Sequence, residues 1–245
     1  MSKGLAYFQQ VYDEVPGWVQ KMHDYSPVVL DHYTGLRGEI MQDGALSRKE
    51  KDVLLASMNA ARLYARSMGY HTKGAIDYGS TIPELVEYLL VSYQYGGIDS
   101  LKVSMESLSY ALELKGRPVE QPKKNPETID EIIQTMITWI GDDDTSFLED
   151  SLEIIKKGNP VEIEAKLLGD GLVSSRMKHL NMVGNYITEL KGTDATDWME
   201  KARDVGASEE DLADVGYICI LTSGIPSWFE ISDSLKLAKN KERHK

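Results

Sequence analysis

Apolar residues return every three or four positions through most of the chain, which predicts helices rather than strands. In the run from Ser47 to Gly69, Val53, Leu54, Met58 and Ala61 fall on one stripe. Ser47 three residues before Glu50 reads as a capping box and sets the start of that helix. The next run, PELVEYLLVSYQY, has Pro83 placed for a first turn and Gly96-Gly97 at its end. Ile98, Leu101, Met105, Leu108 and Leu112 form another stripe, closed by Gly116. Residues 117–128 hold three of the eight prolines and almost no apolar side chain, as a linker or extended crossover does. Helical patterns resume in IDEIIQTMITWI, TSFLEDSLEIIKKG and VEIEAKLLGDGLVSSRMKHLNMVGNYITEL. LTSGIPSWFEI can be read as extended, but it matches an earlier helical stretch. The expected fold is all-α, with a unit over 1–116, a linker over 117–128 and a second unit over 129–245.

That match is part of a longer one. Laying Gly206 on Gly79, an offset of 206 − 79 = 127, makes Ala75/Ala202, Asp77/Asp204, Leu85/Leu212, Gly97/Gly224, Ile98/Ile225 and Ser100/Ser227 identical without a gap. Glu84/Asp211 and Glu87/Asp214 keep their charge. Glycines at matched turns are harder to obtain by accident than leucines, so a tandem duplication is expected.

Composition narrows the function classes. With 27 basic and 39 acidic side chains, the net charge of −12 argues against a nucleic-acid partner, which needs clustered Lys and Arg. A single cysteine excludes an internal disulfide, a cysteine-rich zinc site and a redox pair within one chain. The opening MSKGLAYFQQVYDEV is polar where a signal peptide is apolar, and no window approaches the roughly 20 apolar residues of a membrane span. A cytoplasmic protein with no membrane partner is expected. His23, His32 and His244 show no metal-ligand spacing, and no phosphate loop or dinucleotide fingerprint occurs, so no metal and no cofactor are expected. Asp142-Asp143-Asp144 reads as a solvated turn, and the basic tail from Lys236 as a frayed end.

The segment KEKDVLLASMNAARLYARSMGYHTKGAIDYG with PELVEYLLVSYQYGG carries the most distinctive order of residues: Asp52, His71, Ala75, Gly79, Glu84-Leu85 and Tyr95-Gly96-Gly97. In this order the chain resembles the carboxymuconolactone decarboxylase / AhpD-like superfamily over roughly residues 20–115, and weakly again over 150–230. The resemblance implies a helical fold that assembles into trimers or hexamers with sites near subunit interfaces. It also implies one of two chemistries. Peroxidase members carry an acidic residue, C-x-x-C and a histidine; here the acidic position falls on Asp52 and the cysteine positions on Tyr64 and Ser67. Without a low-pKa thiolate and a resolving thiol, peroxide reduction is not expected. Cys219, in GYICIL, reads as a buried hydrophobe. The decarboxylase branch keeps the histidine without the cysteines, and the chain is closer to it.

If the segment is helical throughout, Tyr64, Ser67, His71, Ala75 and Tyr78 share one face, unless Met68-Gly69 breaks the helix. The expected activity is a cofactor-independent lyase on a small anionic lactone or keto acid. His71 is expected to move the proton, Asp52 to orient it, and Tyr64 or Ser67 to polarise the substrate. Arg62, Arg66 and Lys73 read as one cationic face able to bind the anion or to balance nearby acids. Glu84 is a helix-start carboxylate near the family's site, and Arg48 and Lys51 are expected to be exposed. In the second half His179, Lys191, Asp194 and Trp198 stand at the positions of Asp52, Tyr64, Ser67 and His71, so the acid–histidine order is lost there. The alternatives are a non-catalytic binding or scaffold protein of the same fold and, behind it, a relative of the peroxidases that has lost its cysteines. A homotrimer or another homo-oligomer is expected.

Overall fold

The computed structural model describes residues 2–236; the expectation for the basic tail falls almost wholly outside them, and His244 does too. Thirteen helices and no strand occur among the described residues: α1 (Lys3–Tyr12), α2 (Gly17–Tyr25), α3 (Pro27–Ile40), α4 (Arg48–Ala61), α5 (Ala65–Asp77), α6 (Ile82–Leu114), α7 (Ile129–Ile140), α8 (Ser146–Lys157), α9 (Pro160–Leu168), α10 (Ser175–Thr188), α11 (Gly192–Asp204), α12 (Glu209–Ser223) and α13 (Pro226–Ser232). The all-α expectation holds. No helix among them is long and apolar enough to cross a membrane.

Local chemistry sets the boundaries. Ser47 and Glu50 make both halves of a capping box at α4, and Thr81 with Glu84 does the same at α6. The expected continuous helix from Ser47 to Gly69 is instead two helices. Leu63 takes φ 60, a left-handed conformation costly for a branched side chain, and turns the chain between α4 and α5. Met68-Gly69 do not break α5. At Gly97 (φ 68, ψ −152) the two expected helices on either side meet across a kink within α6. LTSGIPSWFEI is helical, divided between α12 and α13.

Helices α1–α3 form an aromatic cap in which Phe8 packs edge-on to Trp18 and Tyr12 edge-on to Tyr70 of α5. Behind it lies a core drawn from both ends of the chain: Leu54, Leu55 and Met58 of α4 pack with Leu180 and Val183 of α10 and Ile218 and Cys219 of α12. A Cβ on Gly184 would stand 2.5 Å from the Met58 Cε, so α10 lies close against α4 and a larger residue there would have to displace the Met58 side chain. A second core joins α6 to α7, α8 and α9.

Conformations recur at positions 127 apart. Leu190 repeats the left-handed turn of Leu63 at φ 58, and Gly206 (φ 95) repeats Gly79 (φ 91). Two ion pairs with buried lysines are exchanged in the same register. Lys51 reaches Asp214 at 3.2 Å and donates to the Gln42 carbonyl, whereas Lys178 reaches Glu87 at 2.6 Å and donates to the Gly169 carbonyl. Each carboxylate also accepts a backbone N–H from a loop, Asp214 from Leu46 and Glu87 from Val173. Each half thus supplies the lysine for one pair and the carboxylate for the other. Lys51, expected to be exposed, is buried by this arrangement.

Candidate active site

His71 and Asp52 come together where α5 packs across α4. Asp52 is fully buried and His71 is 3% exposed. The close approach depends on Gly74, one turn beyond His71, because a Cβ there would lie 2.4 Å from Asp52 Oδ2. The clash is with a carboxylate held on both oxygens, not with the free end of a flexible chain. Gly74→Ala is therefore expected to cost on the order of 1–3 kcal/mol in urea unfolding by forcing α5 away from α4; unchanged stability would show that the contact yields freely.

Asp52 is bound on both oxygens. Oδ1 lies 2.9 Å from His71 Nδ1, and Oδ2 accepts from Arg48 Nε at 2.7 Å. The Arg48 guanidinium also lies over the Tyr78 ring, 4.9 Å from its centroid. Burial pushes the His71 pKa below its ordinary value of 6.5, against the opposing pull of the Asp52 hydrogen bond. His71 is thus neutral at pH 7. A neutral imidazole beside a carboxylate donates from Nδ1, which leaves Nε2 as the nitrogen able to receive a proton.

The sign of the pH dependence follows. The unfolded histidine binds a proton below about pH 6.5, whereas the folded one resists it. Stability attributable to His71 is present at neutral pH and declines as pH falls through 6.5 towards the lower folded pKa, by at most about 1.4 kcal/mol per pH unit. Unfolding of the wild type and His71→Gln between about pH 7.5 and 5 should show a shallower decline in the variant; parallel curves would mean that His71 carries no such linkage.

The remaining sequence candidates occupy other places. Tyr64 is the N-cap residue of α5 and 47% exposed. With Ser67, Trp18 and Tyr70 it lines a surface depression of about 350 Å³, in which His71 is not a lining residue. Arg66 lines this depression and a neighbouring one of about 440 Å³, shared with Tyr12, Tyr70 and Lys73. Lys73 pairs with Asp77 at 2.6 Å and Asp13 at 3.3 Å. Arg62 lies beyond the end of α4, donates to the Thr222 carbonyl and Ser223 Oγ, and pairs with Glu189 at 3.3 Å. It is therefore not on one helix face with Arg66 and Lys73. Glu84 is engaged in the α6 capping box and by Lys49 at 3.2 Å. In the second half His179 turns to Ser175, with Nδ1 2.8 Å from the Ser175 carbonyl and the ring 5.9 Å from that of Trp198.

Three residues around the pair were not singled out by sequence, and a fourth was expected at the surface. Arg37 of α3 is 4% exposed and donates to the Tyr12 hydroxyl at 2.5 Å. Burial pushes the Tyr12 phenol up to about 12 despite Arg37, so it stays protonated at neutral pH. Tyr7 of α1 lies against Gly38, with Cε2 3.7 Å from the position of a Cβ there. Arg48 is the fourth, and its spacing four residues before Asp52 was the one legible signal. Among the described residues no cluster of His, Cys, Asp and Glu is arranged to hold a metal. Cys219 is buried 3.8 Å from the Gly184 carbonyl, and burial pushes its thiol far up.

Residues 27–108, the part of the chain that carries Arg37, Arg48, Asp52 and His71, match the model of the Carboxymuconolactone decarboxylase family. A search of curated proteins finds no match.

Proposed function

We propose that the chain is a cofactor-independent lyase of carboxymuconolactone-decarboxylase type, acting on a small anionic lactone or keto acid. The observation that carries this reading is the buried His71–Asp52–Arg48 chain within the segment matched by the family. Asp52 fixes the imidazole with one oxygen while its other is neutralised by Arg48. In the reaction the bond from carbon to the leaving carboxylate breaks, and its electron pair passes into the conjugated carbonyl as an enolate. Protonated His71 then delivers a proton from Nε2 to carbon and recovers one from water. Arg48 and Arg37 supply the positive field that favours the enolate oxygen. Tyr64 and Ser67 contribute from the outer depression, with Arg66 and Lys73 drawing the anion toward it.

Incubation with 4-carboxymuconolactone tests the reading through CO2 release, which His71→Ala should lower by on the order of 10²–10⁴-fold. Because the reactive form is the protonated imidazole and burial makes that form scarce, the rate should fall as pH rises above the lowered His71 pKa. No CO2 release, or equal rates for wild type and His71→Ala, overturns the proposal. The burial of His71 favours a second reading, a binding protein that keeps the fold without the chemistry, and that same result would support it.

The duplication expected from sequence belongs to this proposal and is supported by the turns and exchanged ion pairs repeated 127 positions apart. A homotrimer is proposed with it, supported by the exposed Val28, Val29 and Leu36 along α3. A monomer by light scattering would overturn that part.

A further inference from the structure

Arg62 and Glu189 stand 127 positions apart and meet directly at 3.3 Å, so matched positions of the two halves face each other around this pair. Four further matched positions lie beside it and hold different residues on its two sides. Tyr64 and Lys191 are the N-cap residues of α5 and α11, with nearly the same backbone angles (φ −109, ψ 69 and φ −107, ψ 60). Thr222 of α12 is matched by Tyr95 of α6, Asn59 of α4 by Tyr186 of α10, and His71 by Trp198. On the Lys191 side these side chains pack on one another. Lys191 Nζ donates to the Tyr95 hydroxyl at 2.9 Å, the Tyr95 and Tyr186 rings meet edge-on at 4.9 Å, and Tyr186 stacks on Trp198 at 6.2 Å. On the Tyr64 side two small residues replace two of those rings, and Thr222 Oγ1 donates to Asn59 Oδ1 at 2.8 Å. The depression of about 350 Å³ lined by Trp18, Tyr64, Ser67, Tyr70, Leu221 and Thr222 lies in the room left there.

We propose that this depression is the subsite for the substrate's ring, that α12 of the second half supplies its wall through Leu221 and Thr222, and that the small side chain of Thr222 is what keeps it open. The inference rests on the lyase reading of His71 and deepens it, assigning specificity residues outside the family match. The ligand is a single planar unsaturated ring bearing a carbonyl. Trp18, Tyr64 and Tyr70 offer it aromatic faces and edges, and Leu221 an apolar side. Polar groups are few, as in most small-molecule sites. The Tyr70 hydroxyl accepts from Trp18 Nε1 at 3.2 Å, so its own proton remains to be donated to a ligand carbonyl. Ser67 lies one helical turn before His71 on α5, so a ring held against Ser67 sits beside the turn that carries the imidazole. The matched space in the second half is filled by Tyr95 and Tyr186, so each chain has one such subsite, and the second half serves it as a wall.

The experiment measures binding apart from turnover. γ-Crotonolactone, a neutral unsaturated lactone ring without a carboxylate, is titrated into the full chain and followed by NMR at the Leu221 methyl groups. Their signals should shift and saturate in the wild type. Thr222→Tyr places at position 222 the side chain that position 95 carries, and it should weaken the lactone by about tenfold or more. Thr222→Leu, a smaller intrusion, should weaken it by about threefold and answers the question if the tyrosine does not fold. Thr222→Ser keeps the room and should bind as the wild type does. In the reverse exchange, Tyr95→Thr with Tyr186→Asn, the Trp198 indole N–H should shift on titration, whereas in the wild type it should not. No saturable shift at Leu221 in the wild type, or equal affinity in the wild type and the folded Thr222 variants, overturns the inference. A Trp198 signal that stays unmoved in the folded double variant overturns the assignment of one subsite per chain to these positions. Lactone binding that Thr222→Tyr abolishes, without CO2 release from 4-carboxymuconolactone, overturns the lyase reading alone. CO2 release unaffected by Thr222→Tyr overturns the subsite alone.

Discussion

Replacing Lys178 by methionine should cost about 3–5 kcal/mol, among the largest losses from any single substitution in this chain. Lys178 is fully buried and Glu87 2% exposed, with their charged atoms 2.6 Å apart. Burial pulls the Lys178 pKa down while Glu87 holds it up. Methionine preserves most of the volume, so the loss would come from stranding the Glu87 carboxylate rather than from a cavity. Two backbone N–H groups, of Leu172 and Val173, would remain to it, and they carry no full charge. A stranded buried carboxylate prefers its neutral form, so its folded pKa rises above the unfolded value. The deficit should then shrink as pH falls towards about 4–5. Urea unfolding of Lys178→Met at pH 7 and pH 5 checks both parts, and a loss below about 1 kcal/mol at pH 7 would show that the pair is dispensable. Lys51→Met should cost less, because its partner Asp214 is 14% exposed and 3.2 Å away.

The second large effect is expected at Asp52. Asp52→Asn keeps the shape of the side chain but removes the only negative charge among the described residues that Arg48 and His71 contact. Stability should fall by about 3–5 kcal/mol, as expected when a buried pair loses one partner. The His71 pKa should fall further, because the Asp52 hydrogen bond is what opposes the effect of burial. If His71 moves the proton, turnover should drop by on the order of 10²–10⁴-fold, the same range as removing the imidazole, because a wrongly oriented ring is as ineffective as an absent one. Titration of His71 by NMR in wild type and variant separates the electrostatic effect from the loss of stability; an unmoved pKa would mean that Asp52 is not its controlling partner.

How much of this could be read from the chain depended on the range of the interaction. Ser47-x-x-Glu50 and Thr81-x-x-Glu84 are local devices, and both helices begin where they say. Asp52 and His71 were legible as residues through the order they keep, and their meeting required only that α5 fold back on α4. The helix-face argument for Tyr64 did not survive the turn at Leu63, since nothing in the sequence marks a leucine for positive φ. Arg37 was illegible for a different reason. It is buried because α1 packs on α3 and brings Tyr12 to the guanidinium, and no spacing along the chain encodes that closure.

The exchanged ion pairs make the two halves hostage to each other's mutations. A change at Lys51 is felt through Asp214, and one at Lys178 through Glu87, each in the other half of the chain. A chimera that replaces one half with the corresponding segment of another protein would keep one lysine and one carboxylate of its own and lose the partner of both. Such exchanges should tolerate new surfaces and loops freely, yet succeed only when all four charges travel together.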